Sequence, residues 1–325
     1  MSKPTITLTC ADYNRIMPLA SGKVQAEGLD LRLTLSDPGN WPSRAAVMKQ
    51  ALVSPDVAGG EASMGIHLRR IDQGDRSFVA LPIFVLRNFP ARDVYVRKGS
   101  PITSPAQLAG KRIGMYSWTA SGSIWYRHFL AWAGLDPMAQ QWTIGEIDDN
   151  YSGRKPTDLA SCAVAAPEGR SLAQMLVAGE LDAIFSPGRP KQFDASNGPI
   201  QRLLPDYRPL EMQYYQQTSI FPPQHLMVLR RDVWEADRSL ARRVTDAFIR
   251  CEDAYLVSIE GFPYASPWFE QERDDAAAAI GTGVYAHGLD ANRKTMEAFC
   301  AMGHQLGLTD RLVSVDDYFA EFIAS

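Results

Sequence analysis

Glu61 stands directly behind a glycine pair in DVAGGEASM. Glycines let a backbone approach a ligand closely. A partly buried carboxyl at that point is expected to have a raised pKa and could donate a proton. Capping of the following helix is the competing role. His225, in FPPQHLMV, follows a proline pair that fixes a bend. An imidazole there can serve as proton donor or as base near neutral pH, and a hydrogen-bonded structural histidine fits the spacing as well. His287, ahead of the ANRKTMEAF helix, is the second histidine candidate. His67, His128 and His304 fall inside helical patterns and read as structural or surface residues.

Three arginines follow predicted strands, where ligands of open α/β sheets bind. Arg87 ends the apolar run LPIFVLRN, Arg15 lies in ADYNR just past the first strand, and Arg189 lies in SPGRP. A guanidinium fork grips a carboxylate at two points. The alternatives are a surface arginine or an ion pair within the fold. The loop after the strand Arg112–Met115 reads SWTASG and runs into the helix SIWYRHFL. Free N–H groups and the helix dipole favour an anion there, and Thr119 and Ser121 add hydroxyl donors. Plain capping explains the same residues. Trp118 could stack on an aromatic ligand, and Asp12 and Tyr13 could contact ligand hydroxyls.

The elements that must carry these residues follow from periodicity. Ile6–Cys10 alternates as a strand, and Leu29, Leu31, Leu33 and Leu35 point one way. Residues 43–53 have helical spacing with Ser43 as the expected N-cap. SFVALPIFVLRN reads as a buried strand. Residues 171–178 read as a helix stopped by Gly179, followed by the strand Leu181–Phe185. SLARRVTDAFIRCEDAYLVSI, DANRKTMEAFCAMGHQLGL and VSVDDYFAEFIA read as helices. Alternating helices and strands predict parallel α/β layers.

The totals narrow the partners. A chain of 325 residues suits two domains of ordinary size. A net charge of −4 with no basic stripe argues against nucleic acid. No apolar run reaches the roughly 18–20 residues of a membrane span. The N-terminal stretch is Thr-rich, short and stopped by Asp12, so cytoplasmic residence is expected, with a removed leader as the alternative. The four cysteines show no metal spacing and read as buried thiols. No nucleotide loop and no paired histidines at helical spacing are present, so no cofactor is expected. A single divalent ion gathered from distant residues stays open. Short apolar helices near the C-terminus are compatible with a homo-oligomer.

EGLDLRL, SPAQLAGKRIG and GELDAIFSP together resemble the type II periplasmic-binding-protein fold. The resemblance implies two α/β lobes joined by two crossovers with a ligand cleft between them, lobe 1 being residues 1–94 plus 223–325 and lobe 2 residues 95–222. A narrower resemblance spans nearly the whole chain. ADYNR, LPIFVLRNF, AAPEGRSLAQMLVAGELDAIFSP, LLPDYRPLEMQYYQQTSIFPPQH and HGLDANRKTMEAF are similar to the 4,5-dihydroxyphthalate decarboxylase family. VAGGEASM and MYSWTASG depart from its usual pattern. The resemblance implies a cofactor-independent decarboxylase of a small aromatic dicarboxylate. Arg15, Arg87 and Arg189 would then grip carboxylate, and His225, Glu61 or His287 would move the proton. A solute-binding protein for an aromatic or sulfonate anion, and a same-fold enzyme for another aromatic acid, are the alternatives.

Overall fold

The computed structural model describes residues 3–148, 159–260 and 266–325. The chain divides into two compact units. The first holds Met1–Arg87, Pro223–Cys300 and Arg311–Ser325, and the second holds Asn88–Pro222 and Ala301–Asp310. The break falls at Arg87, earlier than the expected residue 94. Asn88 donates its backbone N–H to the Pro222 carbonyl (3.0 Å) and its side-chain amide to Asp93 (2.6 Å), and both partners belong to the second unit.

In chain order the described strands are β1 (Thr5–Cys10), β2 (Asp30–Leu35), β3 (Gly59–Ser63), β4 (Phe78–Arg87), β5 (Val94–Arg97), β6 (Arg112–Met115), β7 (Gln141–Ile144), β8 (Ala163–Ala165), β9 (Ala183–Phe185), β10 (Ile200–Arg202) and β11 (Pro223–Arg230). The first unit is built on a five-stranded sheet ordered β2-β1-β3-β11-β4. β1 runs parallel to β2 and β3, while β11 returns antiparallel between β3 and β4. β4 is buried along almost all of its length, as its unbroken apolar run requires. The helix Leu240–Ile259 packs against it.

The second unit holds a six-stranded sheet ordered β10-β5-β9-β6-β7-β8. Its core gathers Tyr95, Leu172, Leu176, Leu181, Ile184 and Ile200. The helix Leu172–Val177 starts as its sequence says: Ser171 caps the N–H of Gln174, and Gln174 caps Ser171 in return.

Two helix starts differ from expectation. The helix expected over 43–53 begins at Trp41, capped by Asn40, whose side chain accepts from the Ser43 N–H at 3.1 Å. Ser43 is thus inside the helix. The C-terminal tail is not one helix but two short ones, Val315–Tyr318 and Ala320–Ile323. Among the described residues, no helix is long and apolar enough to cross a membrane.

Candidate active site

Glu61 lies within β3, not at a helix start, and its side chain is fully buried. The glycine pair before it serves the sheet rather than a ligand. A Cβ on Gly59 would lie 2.1 Å from the Val228 carbonyl oxygen, and one on Gly60 would lie 2.4 Å from that of Thr9. The two glycines therefore let β3 fit between β1 and β11, which sets Glu61 beside the turn after β1 and the start of β11.

Three donors converge on this carboxylate. Glu61 Oε2 accepts the Ala11 N–H at 2.8 Å. Oε1 accepts the Tyr13 hydroxyl at 2.6 Å and meets His225 Nδ1 at 2.5 Å. The Cys10 thiol also faces Oε2, at 3.6 Å. Burial alone would raise the Glu61 pKa. The hydrogen bond and charge of His225, helped by Tyr13 and Ala11, instead hold it at about 2. The expected raised pKa is thus corrected. Glu61 is a carboxylate without a proton to give.

The hydrogens in this cluster have assigned places. Arg44 Nη2 donates to the Tyr13 oxygen at 2.7 Å. A guanidinium only donates, so the single phenol hydrogen points to Glu61. Burial, with the Glu61 charge, pushes the Tyr13 pKa well up, so the phenol keeps that hydrogen. Glu61 carries none, so the hydrogen in its bond to His225 sits on Nδ1. Nε2 is left as the ring nitrogen available for chemistry, the relation seen wherever a carboxylate orients a catalytic imidazole. His225 pairs with Ser63 on β3 and Leu86 on β4, and the β11–β4 register shifts on either side of it. Such bulges re-aim side chains next to sites. Asp12 lies beside this group, its carboxylate accepting the Ser36 hydroxyl at 3.0 Å.

The other candidates of the first unit form a separate, internally bonded group. Arg15 pairs with Glu252 at 2.9 Å, donates to the Val85 carbonyl at 2.8 Å and lies 4.1 Å above the Tyr285 ring. Arg87 is buried and donates to the Ala286 carbonyl (3.1 Å) and to Asn292. His287 Nδ1 accepts the Phe84 N–H at 3.1 Å. Burial, with Arg15 and Arg87 nearby, lowers its pKa to about 3. Arg15 and Arg87 therefore hold protein acceptors where a carboxylate clamp was expected, and His287 is neutral where a proton donor was expected.

In the second unit, Trp118 is buried with the Arg127 guanidinium 3.9 Å over its ring and Trp142 edge-on. Its expected stacking face is thus taken. Thr119 is half-buried in the loop. Ser121, 1 % exposed, opens the helix Ser121–Trp132, whose N-cap is Ala120 and supplies no side-chain acceptor. Arg189 is exposed, 5.8 Å from the Phe193 ring.

Arg44 and Arg127 escaped the sequence reading. Nothing in SRAAVMKQ marks Arg44, because its partner Tyr13 is met only in the folded chain. Arg127 did leave a signal: it is the one charge in the otherwise apolar run SIWYRHFLAW. Among the described residues no group of three or more His, Cys, Asp or Glu side chains could hold a metal ion.

The sheet order of the first unit, with a late strand returning antiparallel beside β3, defines a periplasmic-binding-protein-like α/β protein. The crystal structure of the periplasmic aliphatic sulphonate binding protein SsuA from Escherichia coli is similar in fold, with a TM-score of 0.51 at 14% identity, covering 98% of this chain and 92% of that one. At the level of sequence the chain is 27% identical over 328 residues to a 4,5-dihydroxyphthalate decarboxylase of Comamonas testosteroni, covering 98% of this chain and 97% of the relative. It is 29% identical over 225 residues to a 4,5-dihydroxyphthalate decarboxylase of Pseudomonas putida, covering 67% of this chain and 84% of the relative. No family model matches. The resemblance to the 4,5-dihydroxyphthalate decarboxylase family therefore holds over nearly the whole chain.

Proposed function

We propose that the protein is a carboxy-lyase that converts 4,5-dihydroxyphthalate to 3,4-dihydroxybenzoate and carbon dioxide. The observation that carries this reading is similarity to two decarboxylases named for that substrate, one of them matched over 98% of the chain. The Glu61–His225 pair, at the C-terminal ends of the parallel strands β1 and β3, supplies a matching acid–base group.

Each carboxylate of this substrate is para to a ring hydroxyl, whose electrons can be pushed toward the carbon that bears it. In the proposed step the proton on His225 Nε2 moves to that carbon and forms a C–H bond. The C–CO2 bond then breaks, its electron pair restores the aromatic ring, and carbon dioxide leaves. His225 regains a proton from solvent, so one proton is consumed per turnover. Glu61 fixes the ring's orientation and offers a counter-charge while the imidazole carries both protons. General acid–base help of this kind contributes about 10²–10⁴-fold.

The test is incubation of the purified protein with 4,5-dihydroxyphthalate in D2O, with and without a chelator, followed by chromatography and mass spectrometry. The expected product is 3,4-dihydroxybenzoate with one deuterium at the vacated carbon. Thermal stabilisation by an unchanged substrate would overturn the enzyme reading in favour of a binding protein. Loss of turnover in chelator would overturn the metal-free step.

A further inference from the structure

The decarboxylation step draws electrons from the hydroxyl para to the departing carboxylate. As the ring carbon gains its proton, that hydroxyl becomes acidic and needs an acceptor. His225 is engaged at the carbon. Glu61 is fully buried, with its oxygens taken by Ala11, Tyr13 and His225. The acceptor has to come from elsewhere on the same edge of the sheet.

Asp12 stands on that edge. β1 ends at Cys10 and β2 at Leu35, which pair in register, so Asp12 and Ser36 follow at neighbouring parallel strand ends. Ser36 is buried; its hydroxyl accepts the Asp12 N–H at 3.3 Å and donates to Asp12 Oδ1 at 3.0 Å. The residues on either side are tied to Glu61, Ala11 through its N–H and Tyr13 through its hydroxyl. Asp12 is therefore held through both chain neighbours and through its own side chain. It is half-buried, and its Oδ2 has no hydrogen-bond partner among the described residues. A serine hydroxyl has one hydrogen to give, so Oδ1 is occupied and Oδ2 is the open oxygen. Strands two places apart in a sheet lie about 9.5 Å from each other, which is the relation of β1 to β11 with β3 between them. A hydroxylated benzene ring with a hydrogen-bond contact at each end has a similar reach. With His225 at the carbon, Asp12 falls at the para hydroxyl.

We propose that Asp12 is the acceptor for the ring hydroxyl para to the departing carboxylate, and so the residue that selects a hydroxylated phthalate over phthalate itself. The inference rests on the carboxy-lyase reading. The hydroxyl proton passes to Oδ2 as His225 protonates the carbon, and the hydroxyl oxygen becomes a ring ketone. The C–CO2 bond then breaks, its electron pair restores the aromatic ring, and the oxygen takes its proton back from Asp12. That proton is only borrowed, so turnover still consumes the one proton delivered by His225. Ser36 is a positioning residue that acts through Asp12.

The experiment compares the unsubstituted full chain with D12N and S36A. Steady-state kinetics use 4,5-dihydroxyphthalate, and calorimetric titration uses phthalate, which has the carboxylates but not the ring hydroxyls. D12N should lower kcat by about 10²-fold or more and leave phthalate affinity within about threefold. S36A frees Oδ1 and should lower kcat by about tenfold, again with phthalate affinity kept. A D12N kcat equal to that of the unsubstituted protein overturns the proposal. So does a loss of phthalate affinity as large as the loss of kcat, the mark of a merely structural role. Should D12N fail to fold, S36A decides: a lower kcat with phthalate affinity kept supports the proposal, and an unchanged kcat overturns it. Absence of turnover in the unsubstituted protein sinks the carboxy-lyase reading instead. Both compounds are then titrated, and hydroxyl selection by Asp12 stands only if 4,5-dihydroxyphthalate binds about tenfold or more tighter than phthalate and D12N removes the difference.

Discussion

Two buried charges, one in each unit, are treated in opposite ways. Glu61 is surrounded by donors: a backbone N–H, a phenol, an imidazole and a thiol facing it. Arg127 has two carbonyls, an indole face and a nitrogen with nothing to donate to among the described residues. A charge whose hydrogen bonds are complete can hold a neighbour in place, which suits a residue that orients a catalytic ring. A charge left incomplete is a cost that the rest of the fold must carry.

The sharpest way to break the Glu61 side of the comparison is to remove its charge and keep its shape. E61Q should lower kcat by about 10²–10⁴-fold, because an amide can present its NH2 to His225 and favour the wrong tautomer. H225N should cost a similar factor. The double variant should be little worse than either alone, since the two act as one unit. Steady-state kinetics of the three proteins checks this, and additive losses would separate the two residues.

Y13F deletes one donor to the carboxylate and leaves Arg44 facing a ring without an oxygen. A hydrogen bond to a charged group contributes about 1.5–3 kcal/mol. Chemical denaturation should show a loss of that size, together with a changed pH–rate profile. R44M should have a weaker effect of the same kind, because it acts on Glu61 only through Tyr13.

Acid tests the same comparison through stability rather than turnover. His67, His128 and His287 are held neutral by burial, with pKa values of about 3, 4 and 3 against an ordinary 6.5. The unfolded chain binds those protons first, so the stability they contribute is whole above pH 6.5 and falls as the pH drops toward 3–4. Glu61 is lowered too, but toward its charged form, a carboxyl at about 2 against an ordinary 4.5. Its contribution is whole above pH 4.5 and lost as the pH falls through about 2. Denaturation at a series of pH values should show the histidine loss in both the unsubstituted protein and E61Q, and the lower limb only in the former.

Much of the fold was legible because periodicity is local. β1, the buried run of β4 and the capped helix after Ser171 can all be read from a few adjacent residues. The candidate site was legible in its members but not in their states. Glu61 and His225 stand out by their Gly and Pro neighbours, yet the Glu61 pKa depends on donors from β11 and from the turn after β1. Burial can be inferred from a sequence pattern, whereas the hydrogen bonds that oppose its effect cannot. Arg15 and Arg87 show the same limit: a guanidinium after a strand could grip a ligand or a neighbour, and Glu252 and Asn292 decide it from far along the chain.

The place of β11 also bears on how the protein is made. It sits between β3 and β4, yet Glu61 and His225 are 164 positions apart. As the chain leaves the ribosome, β3 and β4 must wait, unjoined, while all of residues 88–222 are synthesised. The second sheet can close before the first one does. The proposed acid–base pair is then created in the same event that seals the sheet, so a nascent chain stopped before residue 225 holds an open apolar edge and lacks His225. Such a chain is a natural client for chaperones.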